Sequence, residues 1–209
     1  MKQQFVQTYY SYAKEAEQRT GIPALFGLAQ CALETGWGKT IKGNMLFGMK
    51  VGSGRNYGGW QGDKQLIKTT EYSSISTKWF PVILSGFPVL LSSGKWKYRV
   101  LDNFRAYASP LHSFIDWAGL LKSNSRYRSA FQHTANPHQF ANEIANAGYA
   151  TDPNYADKIS QLIFEIEALV PVSSKKRSLK NTKKPLIAFV TIGATLITLA
   201  ILKLTDVWK

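Results

Sequence analysis

The sequence predicts an α+β chain, mainly helical with a small β lobe, that continues into one membrane-spanning helix. Three observations carry that expectation. Apolar residues recur at spacings of three and four on either side of the middle of the chain. β-Branched and aromatic residues, broken by Ser-Gly and Ser-Ser-Gly, crowd the stretch from Gln65 to Val100. Leu186 to Leu202 carries no charge and is mostly apolar, at the short end of the ~17–25 residues that cross a bilayer.

Composition agrees with a folded chain. Of 209 residues, 44% are hydrophobic, 13% aromatic and only 19% charged, whereas disordered chains are poor in aromatics and rich in charge. The formal net charge of +13 suits any anionic partner, including wall polymers and lipid headgroups. Much of it lies in the stretch before the apolar run, which argues against a nucleic-acid binder. Cys31 stands alone, so no intrachain disulfide forms. Its neighbours Leu28, Ala29, Ala32 and Leu33 mark it as a small buried side chain. Lys2 to Thr8 turns polar at once, so no cleaved secretory signal is expected there.

Taken in order, Phe5, Tyr9, Tyr12, Ala13 and Ala16 give a helix from Phe5 to Arg19. A second helix opens near Pro23, buries Leu25, Leu28, Ala29 and Ala32, and stops at Gly36. Glycines and asparagines from Gly43 to Gly62 break all periodicity and read as a wandering loop lined by Phe47, Tyr57 and Trp60. The β lobe comes next. Ser109-Pro110, Asn136-Pro137 and Asp152-Pro153 each open a helix, with serine capping the first and Gly148 closing the second. The last of these carries Ile159, Leu162, Ile163, Ile166 and Leu169 inward. The domain therefore occupies 1–170, a basic linker 171–185, the span 186–202 and a short tail 203–209.

Lys175, Lys176, Arg177, Lys180, Lys183 and Lys184 precede the span, while only Lys203 and Lys209, with Asp206, come after it. By the positive-inside rule the domain stays on the cytoplasmic side of a bacterial inner membrane. A tail-anchored, single-pass protein of a host inner membrane or a virion membrane is the expected setting, and a phage or prophage origin fits it.

The chemistry concentrates in Ala32-Leu33-Glu34-Thr35-Gly36-Trp37-Gly38 and in Asn44-Met45-Leu46-Phe47-Gly48-Met49-Lys50. Glu34 ends an apolar helix, where the carbonyl-rich terminus and apolar walls both disfavour its charge and raise its pKa. A carboxylic acid still protonated near neutral pH is what protonation of a glycosidic oxygen requires. The bland alternative is a solvated glutamate at a helix end.

These residues resemble the glucosaminidase family of peptidoglycan hydrolases, glycoside hydrolase family 73, which includes flagellar rod-associated wall hydrolases. The resemblance runs from about Phe5 to Leu169. It continues through Lys68-Thr69-Thr70-Glu71-Tyr72, Phe104-Arg105-Ala106-Tyr107 with Ser113 and Asp116, Ser125-Arg126-Tyr127, and Gly148-Tyr149-Ala150-Thr151-Asp152-Pro153-Asn154-Tyr155-Ala156. It implies a lysozyme-like fold and cleavage of the β-1,4 bond between N-acetylglucosamine and N-acetylmuramic acid in peptidoglycan glycan strands. Glu34 is then the general acid, Glu71 a second carboxylate on a mobile β hairpin, and Tyr149 an essential cleft residue.

A second carboxylate either activates water or attacks directly, according to its separation from the first. If Glu71 lies too far away, the substrate's own N-acetyl group serves as nucleophile, with Tyr149 steadying the intermediate. As alternatives, Glu71 is a solvent-facing strand residue and Tyr149 ordinary core. Trp37, Phe47, Tyr57 and Trp60 stack on sugar rings or fill the core. Trp37 and Phe47 are the better cleft candidates, and Asn44 belongs to the same motif. Asp116 reads as a residue that holds the lobe by hydrogen bonds.

Between Thr77 and Gly94 the sequence departs from the family pattern with an apolar insertion, Phe80 to Leu84 and Phe87 to Leu91. It is a longer packed hairpin or a loop that touches a membrane or partner. His112, His133 and His138 show no metal-binding spacing, and Gly52 to Gly62 lacks a phosphate-cradling ending, so neither metal nor cofactor is expected. The functional rivals are a muramidase or lytic transglycosylase, which use the same lone glutamate, and a membrane or virion protein that binds glycan without cutting it.

Overall fold

The computed structural model describes residues 1–52 and 54–170. The linker, the expected span 186–202 and the tail lie outside the described residues. Among the described residues, no helix is long and apolar enough to cross a membrane.

Two helices open the chain, α1 (Lys2–Thr20) and α2 (Ala24–Thr35). α1 starts one turn earlier than its apolar spacing indicates. Lys2 pairs with Glu165 at 2.6 Å and the Gln3 amide donates to the Leu169 carbonyl at 3.1 Å, so partners at the far end of the domain hold that turn. α2 is the central helix. It buries Phe26, Leu28, Ala29 and Cys31 completely and packs against α1 and the two last helices.

A β lobe separates this pair from the remaining helices. β1 (Lys64–Ser73) and β4 (Trp96–Arg105) pair antiparallel from Lys64↔Arg105 to Ser73↔Trp96. Between them the chain returns along the other edge of β4 in two short pieces, β2 (Val82–Ile83) and β3 (Val89–Leu90). The insertion is thus an interrupted edge strand. Its Phe80 is buried with Tyr98 and Val100, and the Tyr98 hydroxyl donates to the Ile75 carbonyl at 3.0 Å. It is in part a packed hairpin, and Trp79 and Leu90 remain 78% and 55% exposed.

The chain then forms α3 (Pro110–Ser123), two single 3-10 turns, α4 (Pro137–Asn146) and α5 (Tyr155–Leu169). Asn136 caps α4 as expected, its Oδ1 accepting from His138 and Gln139. Ser109 precedes α3 without capping it: its hydroxyl instead shares a hydrogen bond with His112 Nδ1 at 2.7 Å.

The stretch 54–60 has no regular structure yet does not wander. Arg105, fully buried, pairs with Asp116 at 2.7 Å and donates to the Gly54 and Arg55 carbonyls. Asp116 also accepts from the Tyr57 backbone N–H at 3.1 Å and the Tyr107 hydroxyl at 2.8 Å. The loop lies against α3 so closely that a Cβ on Gly59 would sit 2.0 Å from the His112 carbonyl oxygen, and one on Gly119 2.4 Å from Tyr57.

Candidate active site

Glu34 occupies the last turn of α2, partly buried. The tight turn just beyond this helix accounts for the Gly-Trp-Gly sequence. Gly36, Trp37 and Gly38 have φ of 57°, 61° and 86°, a run of left-handed backbone that a bulky residue enters only under constraint. Trp37 is held there by packing edge-on to Phe5 at 5.5 Å, with the Lys2 ammonium 4.8 Å from its ring. Thr35 locks the turn from inside, its hydroxyl donating to the Cys31 carbonyl and accepting from the Gly38 N–H.

One turn before Glu34, the Gln30 side-chain amide donates from Nε2 to the Glu34 Oε1 at 2.8 Å, and the Tyr155 hydroxyl donates to the Gln30 side-chain Oε1 at 2.6 Å. Gln30 is fully buried and Tyr155 nearly so. Tyr155 fixes which end of the Gln30 amide faces Glu34, so the Glu34 Oε1 is an acceptor in either charge state and its Oε2 is left to carry the proton. Burial pushes the Glu34 pKa up to about 7, while the Gln30 hydrogen bond pulls the other way. Glu34 is therefore balanced between acid and base near neutrality.

Tyr149 closes the same pocket of polar groups. Trp117 Nε1 donates to its hydroxyl at 3.0 Å, which leaves the hydroxyl hydrogen to donate elsewhere. Its pKa is raised by burial and then by the nearby Glu34 carboxylate, so it stays a neutral donor. Its ring meets those of Tyr127 at 6.0 Å and Tyr155 at 5.6 Å.

Glu34 opens on a cleft of about 460 Å³ whose far wall is the Ile67–Thr69 stretch of β1, with Lys39, Lys42 and Lys68 around it. Glu71 lies farther along the same strand, only 4% exposed, and does not line that cleft. It pairs with Lys50 at 2.7 Å, and Lys50 also reaches Asp102 at 3.0 Å. It is neither a solvated strand residue nor, in this conformation, a partner facing Glu34.

The expected sugar-stacking residues lie elsewhere. Phe47 is core, 2% exposed and stacked on Trp117 at 4.2 Å, because the turn that carries it is pinned by Ser113 Oγ accepting from the Leu46 N–H. Trp37 lines a separate hollow with Met1, Gln4, Phe5 and Thr8, on the side to which the left-handed turn throws it. Asn44, itself left-handed at φ 53°, donates to the Tyr107 carbonyl at 2.8 Å and makes a corner. Tyr57 and Trp60 pack their rings on the Arg105 guanidinium, Trp60 at 4.6 Å. Among the described residues, no group of His, Cys, Asp or Glu is placed to hold a metal ion.

The sequence motifs assign no role to Gln30 or Trp117, and contain Tyr155 without showing that it orients Gln30. Gln30 left one signal, a polar residue four before Glu34 on a helix otherwise apolar on that face.

Residues 10–168 match the model of a family described as glucosaminidase, mannosyl-glycoprotein endo-beta-N-acetylglucosaminidase. The chain belongs to the glucosaminidase family. The peptidoglycan hydrolase FlgJ of Pseudomonas aeruginosa is 34% identical over 178 residues, which is 82% of this chain and 38% of that protein. FlgJ of Vibrio cholerae is 35% identical over 171 residues, 79% of this chain and 44% of that protein. The chain thus spans less than half the length of either relative. The glycoside hydrolase domain of Salmonella typhimurium FlgJ has the same mixed helix-and-sheet, lysozyme-like fold. It superposes with a TM-score of 0.60 at 30% identity, covering 85% of this chain and 96% of that one. The glucosaminidase match runs from within α1 to the last turn of α5.

Proposed function

We propose that this domain hydrolyses the β-1,4 bond between N-acetylglucosamine and N-acetylmuramic acid in bacterial peptidoglycan. The observation that carries the proposal is Glu34: a carboxyl group titrating near 7, oriented by Gln30, at the edge of an open cleft. Three lysines around the same cleft suit a strand that bears lactyl and peptide carboxylates. FlgJ of both relatives above is named a peptidoglycan hydrolase, which supports the substrate class.

In the mechanism that fits these residues, Glu34 gives its Oε2 proton to the glycosidic oxygen and the C1–O bond breaks. Because Glu71 is bound to Lys50, the N-acetyl oxygen of the same sugar closes on C1 and forms a cyclic oxazolinium ion. Tyr149, a neutral donor, steadies it. Water then adds at C1, the Glu34 carboxylate takes the water's proton, and the ring reopens with the acid restored.

The test is mass spectrometry of digested peptidoglycan, run beside Glu34→Gln. New reducing N-acetylglucosamine ends support the proposal. Reducing N-acetylmuramic ends would make the protein a muramidase, anhydromuramic ends a transglycosylase, and unchanged strands a glycan-binding protein.

For location, the proposal is that 186–202 anchors the domain to a host inner membrane or a virion membrane. The uncharged run and the six cations before it support this. The whole chain should then stay with membranes through a high-salt wash and need detergent for release, whereas a chain ending at Ser174 should be washed off.

A further inference from the structure

The register of the β lobe sorts its charges by face. Residues directly opposite one another in an antiparallel pair point to the same side of the sheet. One face carries Glu71 opposite Tyr98, Thr69 opposite Val100, and Ile67 opposite Asp102. Along β1 and β4 this face packs inward, with Tyr98 and Val100 fully buried and Glu71 and Asp102 sharing Lys50, while Ile83 and Leu90 at its edge stay 40% and 55% exposed. The other face starts with Lys64 opposite the buried Arg105 and Leu66 opposite Asn103, and continues in three rows. They are Lys68, Leu101 and Val82; Thr70 and Arg99; and Tyr72, Lys97 and Val89.

The 54–60 loop covers the Arg105 end of that outer face, and beyond it the rows from Leu66 onward remain open. Val82 is 39%, Val89 43% and Leu66, one step along on the same side, 52% exposed. Besides the buried Arg105, the face holds Lys64, Lys68, Lys97 and Arg99, with Lys68 also bordering the Glu34 cleft, and no carboxylate, since both acidic residues of the strands lie on the inner side. None of Lys68, Lys97 or Arg99 forms an ion pair among the described residues. From Ser73 to Leu101 the sequence contains no acidic residue at all, and the end of the lobe adds Trp79. An alternating apolar and basic surface, with an exposed tryptophan at its margin, has the composition of elements that lie in a bilayer interface.

We propose that the outer face of this sheet docks on an anionic lipid surface, with Val82, Val89 and Leu66 entering the headgroup boundary and Lys97 and Arg99 meeting lipid phosphates. A soluble polyanion would pair the cations but leave the apolar rows wet. A neutral protein surface would cover the apolar rows and leave the cations without partners. A bilayer with anionic headgroups satisfies both. The assignment is independent of what Glu34 does, and it gives the insertion a role: β2 and β3 supply the apolar ends of two of the three rows.

The test uses the whole chain. Cys31 is fully buried and burial pushes its thiol up, so a thiol-reactive NBD dye reads only an introduced cysteine. Val89→Cys places the dye on the docking face, and Ser125→Cys places it on an exposed turn of the helical part. The expected result, with vesicles containing phosphatidylglycerol, is a blue shift and loss of iodide quenching at position 89 and little change at 125. An anchor in the tail would act on both positions alike.

Phosphatidylcholine vesicles should give a much smaller effect. Lys97→Gln with Arg99→Gln should remove most of the shielding, each cation near an anionic bilayer contributing about a fivefold factor. Equal quenching at 89 and 125 overturns the proposal. So does shielding at 89 without lipid, which would show the face covered by this chain's own tail or a second copy. Shielding by soluble polyphosphate but not by vesicles would assign the face to an anionic polymer instead.

Discussion

Burial raises the Glu34 pKa and the Gln30 hydrogen bond draws it back. Turnover requires the protonated form, so kcat/KM should fall as pH rises through about 7. Gln30 stabilises the ionised form, so Gln30→Leu should move that limb to higher pH while lowering kcat, because Glu34 loses its orientation. A merely structural role for Gln30 would lower activity without moving the limb. Glu34→Gln should cut turnover by ~10²–10⁴-fold. It should also change the pH dependence of stability, with a sign set by linkage. The folded pKa lies above the ordinary value of 4.5, so ionisation costs the folded state more than the unfolded one as pH rises from about 4.5 to 7. The variant's melting temperature relative to the parent should therefore be higher at pH 8 than at pH 4. Glu34 was legible because its helix, its apolar neighbours and its stop signal are contiguous. Phe47 was misplaced for the opposite reason. Whether an aromatic faces a cleft or a core depends on what stacks against it, here Trp117, far away in sequence.

Elements show the same division between local and distant causes. The helices arise from spacing, proline and glycine, and their ends fall within a few residues of expectation. The loop 54–60 is irregular as expected, but its fixation by Arg105 and Asp116 depends on three separate parts of the chain. Arg105→Met should cost about 3–5 kcal/mol in denaturant unfolding, since it strands the buried Asp116 charge. Gly119→Ala should cost about 1–3 kcal/mol by forcing Tyr57 away from α3. A variant within 0.5 kcal/mol of the parent, roughly the range of unremarkable surface changes, would mean the loop does not rest on α3. The two-residue strands β2 and β3 fall in the apolar runs 80–84 and 87–91, but nothing in those runs shows how briefly they pair. They exist because β4 offers an unpaired edge.

In the whole molecule, the β lobe joins the helices through Arg105 and Asp116, while the acid belongs to the helices alone. Its hold runs from Glu34 through Gln30 to Tyr155, across 125 residues of chain. Tyr155→Phe should therefore act at a distance, freeing the Gln30 amide to turn over. Its activity should drop with the fold intact by circular dichroism; a variant with parent activity would show that Gln30 needs no such lock. The same connection sets an order of events during synthesis. Glu34 leaves the ribosome well before the residue that sets its amide partner, which emerges only with α5. A nascent or prematurely ended chain carries the acid without its orientation, so the cutting site is armed last, once the domain is complete.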